Sequence, residues 1–227
     1  MSKISIIIPT INEANNLPLL PSDLSIIQKE GEIIVVDCGS EDKTIDIANI
    51  YGAKVFLSKE RNRGLQLDIG AKNAEGDWFI FLHADTRLTH DWFRKTNSFL
   101  KGNKNSIYYF RFKINHKKII YRVLEILVNF RSKFFKQPYG DQGLIIHRTT
   151  YFNNNGFRKL PLMEDVDFIR RLKNKKDLKQ LDSPIFISSR KWERSNIFLQ
   201  AIKNWHFRRR WLKGESLKSI YTDYYKK

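Results

Sequence analysis

The sequence predicts a doubly wound α/β fold with a mostly parallel sheet, and three apolar runs carry that prediction. Ile4 to Ile8, Glu32 to Val36 and Trp78 to Leu82 are rich in Ile, Val, Phe and Leu and lack polar alternation. Such runs are strands buried on both faces, as in a parallel sheet covered by helices. Each ends abruptly in polar residues: Pro9-Thr10-Ile11-Asn12-Glu13, Asp37-Cys38-Gly39-Ser40 and His83-Ala84-Asp85-Thr86. The carboxyl edge of such a sheet is where open α/β folds bind ligands, so three loops converge on one candidate site.

The remaining elements follow in order. A fourth strand is expected at 53–57, and helical stretches near 14–29, 43–50 and 63–74 complete a β-α-β-α succession. Ser40-Glu41-Asp42-Lys43 offers an N-cap with acidic residues in the first turn. Gly31, Gly52 and Gly76 each fall where a helix should end before the next strand. After residue 90 the pattern loosens. An alternating aromatic strand is expected over Ser106 to Ile114, an apolar helix with basic ends over 117–136, and a turn at Pro138 to Gly143. Then come a short strand, Leu144 to His147, a helix starting in Leu162 to Phe168, a last strand over 184–189 and a basic helical tail.

Length and composition favour one domain, 1–227: a nucleotide-binding half (1–90), an acceptor and catalytic half (91–190) and the basic tail (191–227). Hydrophobic residues make up 41% and aromatics 13%, which excludes a disordered chain. A single cysteine, Cys38, excludes an internal disulfide framework. The first strand begins at residue 4 and no apolar stretch has bilayer-spanning length, so a cytoplasmic protein is expected. The net charge of +17 is unevenly placed. Residues 1–93 carry 9 Lys and Arg against 14 Asp and Glu, whereas 94–136 carry 12 against Glu125 alone and 190–227 carry 11 against 3. That segregation points to an anionic partner for the two later segments.

Hard oxygen ligands at a strand end suit Mg²⁺ or Mn²⁺, and Mg²⁺ is commonly held by one or two carboxylates plus substrate phosphates; Asp85 is placed for this. Asp37 is placed to accept hydrogen bonds from a base or ribose. Both also suit turns. Glu164-Asp165 opens a helix, where negative charge is favoured whether or not it has a catalytic role. As a general base, one of them must stay ionised beside an acceptor hydroxyl, with Arg170 and Arg171 as the neighbouring cations. Arg61-Asn62-Arg63-Gly64 opens another helix, whose amides and arginines are placed to meet a pyrophosphate. His83 is a candidate metal or supporting group. Cys38 is better read as a small filler than as a nucleophile.

Taken together and in order, IIIPTINEANN, VVDCGSEDKT, RNRGLQLDIGA, FLHADT, PYGDQG and PLMEDVDF resemble the family 2 glycosyltransferases of GT-A fold, and within them the radical-SAM/selenodomain-associated transferases. The resemblance covers most of the chain, from about Ile4 to the segment 188–196 and beyond. It implies a nucleotide-sugar site formed by Pro9, Thr10, Asn12, Glu13, Asp37, Gly39, Ser40, Arg63, Gly64, Gln66, His83, Ala84 and Asp85. Asp37 would meet the nucleobase, and Asp85 would bridge a divalent cation, Mg²⁺ or Mn²⁺, to the donor diphosphate. Asp165, with Glu164 beside it, would be the base that deprotonates a hydroxyl acceptor in an inverting transfer. One departure is His83 at the first position of the DxD-like motif. Arg190-Lys191-Trp192 and Arg209-Arg210-Trp211 are two candidates for the Arg/Trp element of larger relatives.

Helix 117–136 has two readings, packing against the core or lying on an anionic membrane, and the second suits a lipid-linked acceptor. The rival to an enzyme is a protein binding nucleic acid or an anionic membrane through these basic aromatic segments on a non-catalytic scaffold. The sequence holds no recognised nucleic-acid motif, so no nucleic-acid partner is expected.

Overall fold

The computed structural model describes residues 3–25, 27, 30–188 and 197–225. Strands β1 (Ile4–Thr10), β2 (Gly31–Asp37), β3 (Lys54–Leu57) and β4 (Trp78–Phe81) alternate with helices α1 (Leu19–Leu24), α2 (Thr44–Ile50) and α3 (Arg63–Asn73). There follow β5 (Thr86–Leu88), α4 (Trp92–Leu100), β6 (Ile107–Ile114), α5 (Ile119–Phe134), a 3₁₀ turn at Gly140–Gln142, β7 (Leu144–His147), α6 (Arg148–Asn153), α7 (Glu164–Leu172) and β8 (Leu178–Ile187). Helices α8 (Ile197–Leu212) and α9 (Leu217–Tyr225) close the chain.

Among the described residues the strands form one sheet in the order β3-β2-β1-β4-β7-β6-β8-β5. The first four are parallel, β7 is antiparallel to both its neighbours, β6 and β8 are parallel, and β5 is antiparallel to β8. Alternate residues of each strand feed opposite faces. Ile6, Ile8, Trp78, Ile80 and Phe110 pack with Leu20, Ala48, Trp92 and Leu124 of α1, α2, α4 and α5. Ile7, Ile34, Phe79, Phe81 and Tyr109 pack with Leu67, Tyr151 and Phe168 of α3, α6 and α7. The result is the three-layer α/β/α arrangement that unalternating runs demand.

Several local expectations are corrected. Of the helix expected over 14–29, Leu19–Leu24 are helical and 14–18 form turns up to Pro18, which fixes the helix entry; residues 26, 28 and 29 lie outside the described residues. Helix α2 starts at Thr44 with Lys43 as an N-cap that makes no side-chain bond; Asp42 accepts from Thr44 N at 3.0 Å, and Ser40 bonds elsewhere. Only Gly52, at φ +73°, serves as a left-handed helix terminus. Gly31 and Gly76 are needed for another reason: a β-carbon would lie 2.1 Å from the Ile4 carbonyl and 2.6 Å from Ser5 Oγ. β8 starts at Leu178, six residues early, because an irregularity opposite Tyr109 and Arg111 of β6 lets the turn-like Asp182-Ser183-Pro184 continue the strand. Of the tail, 189–196 lie outside the described residues, including Arg190-Lys191-Trp192 and the end of the strand expected over 184–189.

Candidate active site

β1 and β2 end side by side, with Thr10 opposite Asp37. Asp37 is fully buried: Oδ2 accepts from Thr10 Oγ1 at 2.7 Å and Ser40 Oγ at 2.5 Å, and Oδ1 accepts from Ser40 N at 2.7 Å. Gly39, at φ +72°, makes the bend that returns Ser40 to it. Asn12, itself at φ +52°, donates its N–H to Ser40 Oγ at 2.8 Å and accepts from Glu41 N at 2.9 Å. The Glu13 amide donates to Thr44 Oγ1 at 2.8 Å, while its carboxylate accepts from the Asn16 side chain. Half-buried Pro9 lies in β1 beside Val36. The two loops therefore behave as one hydrogen-bonded body, with three of the roughly four acceptor positions of Asp37 occupied from within.

Helix α3 stands against this body. Asn62 caps it by accepting from Leu65 N at 3.0 Å, the Gly64 amide donates to Leu160 O at 3.2 Å, and Gln66 N donates to Asn62 O at 3.0 Å. These amides at the helix start therefore have partners within the protein. Gly64 is required by close approach instead, since a β-carbon would lie 2.1 Å from the Arg158 carbonyl. Buried Gln66 donates to the carbonyls of Thr10, at 3.0 Å, and Val36, at 2.8 Å, holding the ends of β1 and β2 together. Arg63 reaches across the fold to pair with Glu164.

Glu164 and Asp165 open α7 after Met163, a non-glycine residue at φ +62°. Glu164 is 1% exposed; one carboxylate oxygen takes the Arg63 pair, and the other is buried without a hydrogen bond. Burial pushes its carboxyl up to about 6, with Arg63 opposing and Asp165 adding to the rise. Burial works against the Arg63 charge, but Glu164 and then Asp165 hold its guanidinium above the ordinary value. Asp165 points the other way: Oδ2 accepts from Gly140 N at 2.7 Å and Oδ1 from Val166 N at 2.7 Å. His83 Nε2 and Asp165 Oδ2 lie 3.2 and 3.3 Å from where a β-carbon on Gly140 would sit. His83, Tyr139, Gly140, Glu164 and Asp165 thus form the polar wall of a cavity of about 20 Å³ otherwise lined by Leu67, Phe81, Leu144 and Phe157. That volume admits about one water. Arg170 and Arg171 do not serve these carboxylates. Helical spacing puts Arg171 on Asp167 at 3.0 Å, and Arg170 lies over Trp211.

The turn after β4 sends its two candidates to different places. His83 lines the Asp165 cavity, Ala84 is buried in the core, and Asp85 lines a separate cleft of about 140 Å³ with Asn16, Arg87, Asn115 and Ser188. Among the described residues the Asp85 carboxylate has no protein hydrogen bond, and no cluster of three or more His, Cys, Asp or Glu could hold a metal ion. One unpartnered carboxylate at a strand end fits a divalent cation whose other ligands are phosphate oxygens and water. Arg210 is engaged by Glu215 and Asp223 within the tail, and Trp211 by Arg170 of α7, so the 209–211 segment braces the tail and ties it to α7.

Sequence reasoning missed Arg131, Tyr139, Gln142 and Arg208. The Arg131 guanidinium lies 3.7 Å over the Tyr139 ring, and Arg208 bonds the Tyr139 hydroxyl. Burial lowers the pKa of Arg131 against Asp141 and Asp165, and burial followed by Arg131 lowers that of Arg208. Fully buried Gln142 accepts from Ser132 Oγ at 2.5 Å, which fixes the turn presenting Gly140. Tyr139 and Gln142 lay in the PYGDQG motif and were within reach; only tertiary packing identifies the two arginines.

A half-parallel sheet with carboxylates at its carboxyl edge and a helix-start Glu-Asp pair defines the class of GT-A nucleotide-sugar transferases. Within it, the model of glycosyl transferase family 2 matches residues 5–164, and the chain belongs to that family. A glycosyltransferase of PGL/p-HBAD biosynthesis from Mycobacterium bovis is 37% identical over 94 residues, 37% of this chain and 36% of the relative. The match thus spans about a third of that relative's length. The solved structure of S. aureus TarS residues 1–349 with UDP superposes with a TM-score of 0.67 at 21% identity, over 82% of this chain and 60% of that one. Mycobacterium tuberculosis glucosyl-3-phosphoglycerate synthase with Mn²⁺, UDP and glucosyl-3-phosphoglycerate gives 0.58 at 18% identity, over 82% and 70%.

Proposed function

We propose that the protein is an inverting glycosyltransferase that moves a sugar from a nucleoside-diphosphate sugar to a hydroxyl acceptor, with Asp165 as general base. The observation that carries this reading is the Asp165 carboxylate, anchored by the Gly140 amide and facing His83 across a cavity at the carboxyl edge of the sheet. The acceptor oxygen attacks the anomeric carbon as the bond to the nucleoside diphosphate breaks, and Asp165 takes the acceptor proton. Proton transfer of this kind contributes about 10²–10⁴-fold, and positioning the two substrates contributes further. Arg63 binds and orients Glu164, which keeps the first turn of α7 and hence Asp165 in place. The hydrogen-bonded loops at 10–16 and 37–44 form the nucleoside wall, and Asp85 would hold the divalent cation. When bound, that cation supplies charge neutralisation to the leaving diphosphate. A lipid-linked acceptor fits the basic apolar segments, and UDP-bound relatives of the same fold favour a uridine nucleotide donor.

The test is a thermal-shift screen of the protein against UDP, GDP and dTDP with Mn²⁺ or chelator. A metal-dependent rise with one nucleotide is expected, lost in Asp85→Ala and kept in Asp165→Asn, whose transfer rate falls at least about 10²-fold. No rise with any nucleotide, or an unchanged rate in Asp165→Asn, overturns the assignment.

A further inference from the structure

We propose that the outward face of α5 docks the protein on an anionic lipid bilayer. The inner face of this helix is fixed. Tyr121, Leu124 and Val128 are buried in the core; Glu125 accepts from Ile114 N at 2.7 Å, and the Asn129 amide bonds both the N–H and the carbonyl of Phe112 at 2.9 Å. Side-chain bonds to the backbone of β6 therefore set the rotation of α5. What faces out is apolar: Ile119 is 80% exposed, Ile126 68%, Leu127 58%, Phe130 50% and Phe134 66%. Ile119, Ile126, Phe130 and Phe134 run along one helix face, a contiguous stripe rather than scattered surface residues.

The charges around the stripe identify its occupant. Lys117 and Lys118 flank its start and Lys133 and Lys136 its end; all four are exposed and without an ion pair among the described residues. Glu125, the helix's single acidic residue, is turned inward and 6% exposed, so the outer face carries no negative charge. A second copy pairing through this face would set lysine against lysine in either orientation. Anionic headgroups meet the lysines favourably while the aromatic and aliphatic side chains enter the acyl boundary, as in interfacial amphipathic helices. No helix among the described residues is long and apolar enough to cross a membrane. Docking would also bring the chemistry close to the lipid. The far end of α5 touches the site through Arg131 on Tyr139 and Ser132 on Gln142.

The inference goes beyond the transfer reading and is tested without donor or acceptor. The protein is floated with vesicles of phosphatidylcholine, with and without phosphatidylglycerol. Binding is expected only with the anionic lipid and should weaken as salt rises. Ile126→Ser with Phe130→Ser should lower it at least about tenfold, at an unchanged melting temperature, because both side chains are exposed in the free protein. Lys117→Glu with Lys133→Glu should abolish the preference for anionic lipid. Equal binding to both vesicles, no binding, or unchanged binding by the serine variant overturns the proposal. So does a dimer in light scattering that the serine variant converts to monomer, since the stripe would then be a self-association face.

Discussion

At the scale of single residues, Glu164 has the most constrained environment in the site. Arg63 satisfies one oxygen, while the other is buried against apolar side chains with no hydrogen bond. Its carboxyl rises from 4.5 to about 6 on folding, chiefly through burial. Between those values the folded protein retains a proton that the unfolded chain has released. The stability contributed by that proton is complete below pH 4.5 and is lost as pH rises through about 6, some ~2 kcal/mol in all. Glu164→Gln keeps the shape and removes the titration. From pH 4.5 to 6.5 the melting temperature of the wild type should fall by about 4–8 °C relative to the variant's. Parallel melting curves across that window would mean that Glu164 titrates as an ordinary carboxylate. Asp165, one residue on, turns to Gly140, so adjacent carboxylates of one motif are set apart as a buried anchor and the proposed base.

At the scale of elements, what was legible in the sequence followed apolar patterning, and what was not depended on partners far along the chain. β1, β2 and β4 were readable because buried strands must be apolar on both faces, and β6 because it is aromatic and alternating. β5, α4 and α6 were not: Thr86–Leu88 is too short to show a period, and α4 and α6 lie among polar residues. The same limit governed the site. Asp37, Asp85 and Asp165 stood out at element ends, whereas the partner of Glu164 lies 101 residues away on α3. Gly64 shows how tightly those two elements are joined, with Arg158 and Leu160 packed on its α-carbon. Gly64→Ala, otherwise favourable in a helix, should therefore cost about 1–3 kcal/mol, seen as a lower urea midpoint with an unchanged slope. A midpoint raised by the better helix propensity of Ala would show that the 158–160 segment yields freely.

At the scale of the molecule, the described part of the basic tail is tied to the turn at Tyr139 and to α7. Arg208 of α8 bonds Tyr139, Trp211 packs on Arg170 of α7, and Phe207 and Ile220 are buried, Phe207 against Tyr224 of the second tail helix. Among the described residues, the hydrogen bonds that lace residues 10–16 to 37–44 run between those two segments alone. The Tyr139 ring, in contact with Arg131 and Arg208, forms one wall of a cavity too small for a sugar, so the proposed transfer requires that wall to move. Tail and wall should then be coupled while donor recognition stays separate. Arg208→Ala with Trp211→Ala removes both ties and leaves the Phe207 contact intact. Limited proteolysis should cut within 197–225 several-fold faster in this variant, and the transfer rate should fall because the Tyr139 wall of the Asp165 cavity loosens. The nucleotide-induced thermal shift should not change. Equal protection of variant and wild type would place the tail's attachment in its apolar contacts alone. A lost nucleotide shift would instead join the tail to the donor site, a connection for which the hydrogen-bonded loops of β1 and β2 give no route.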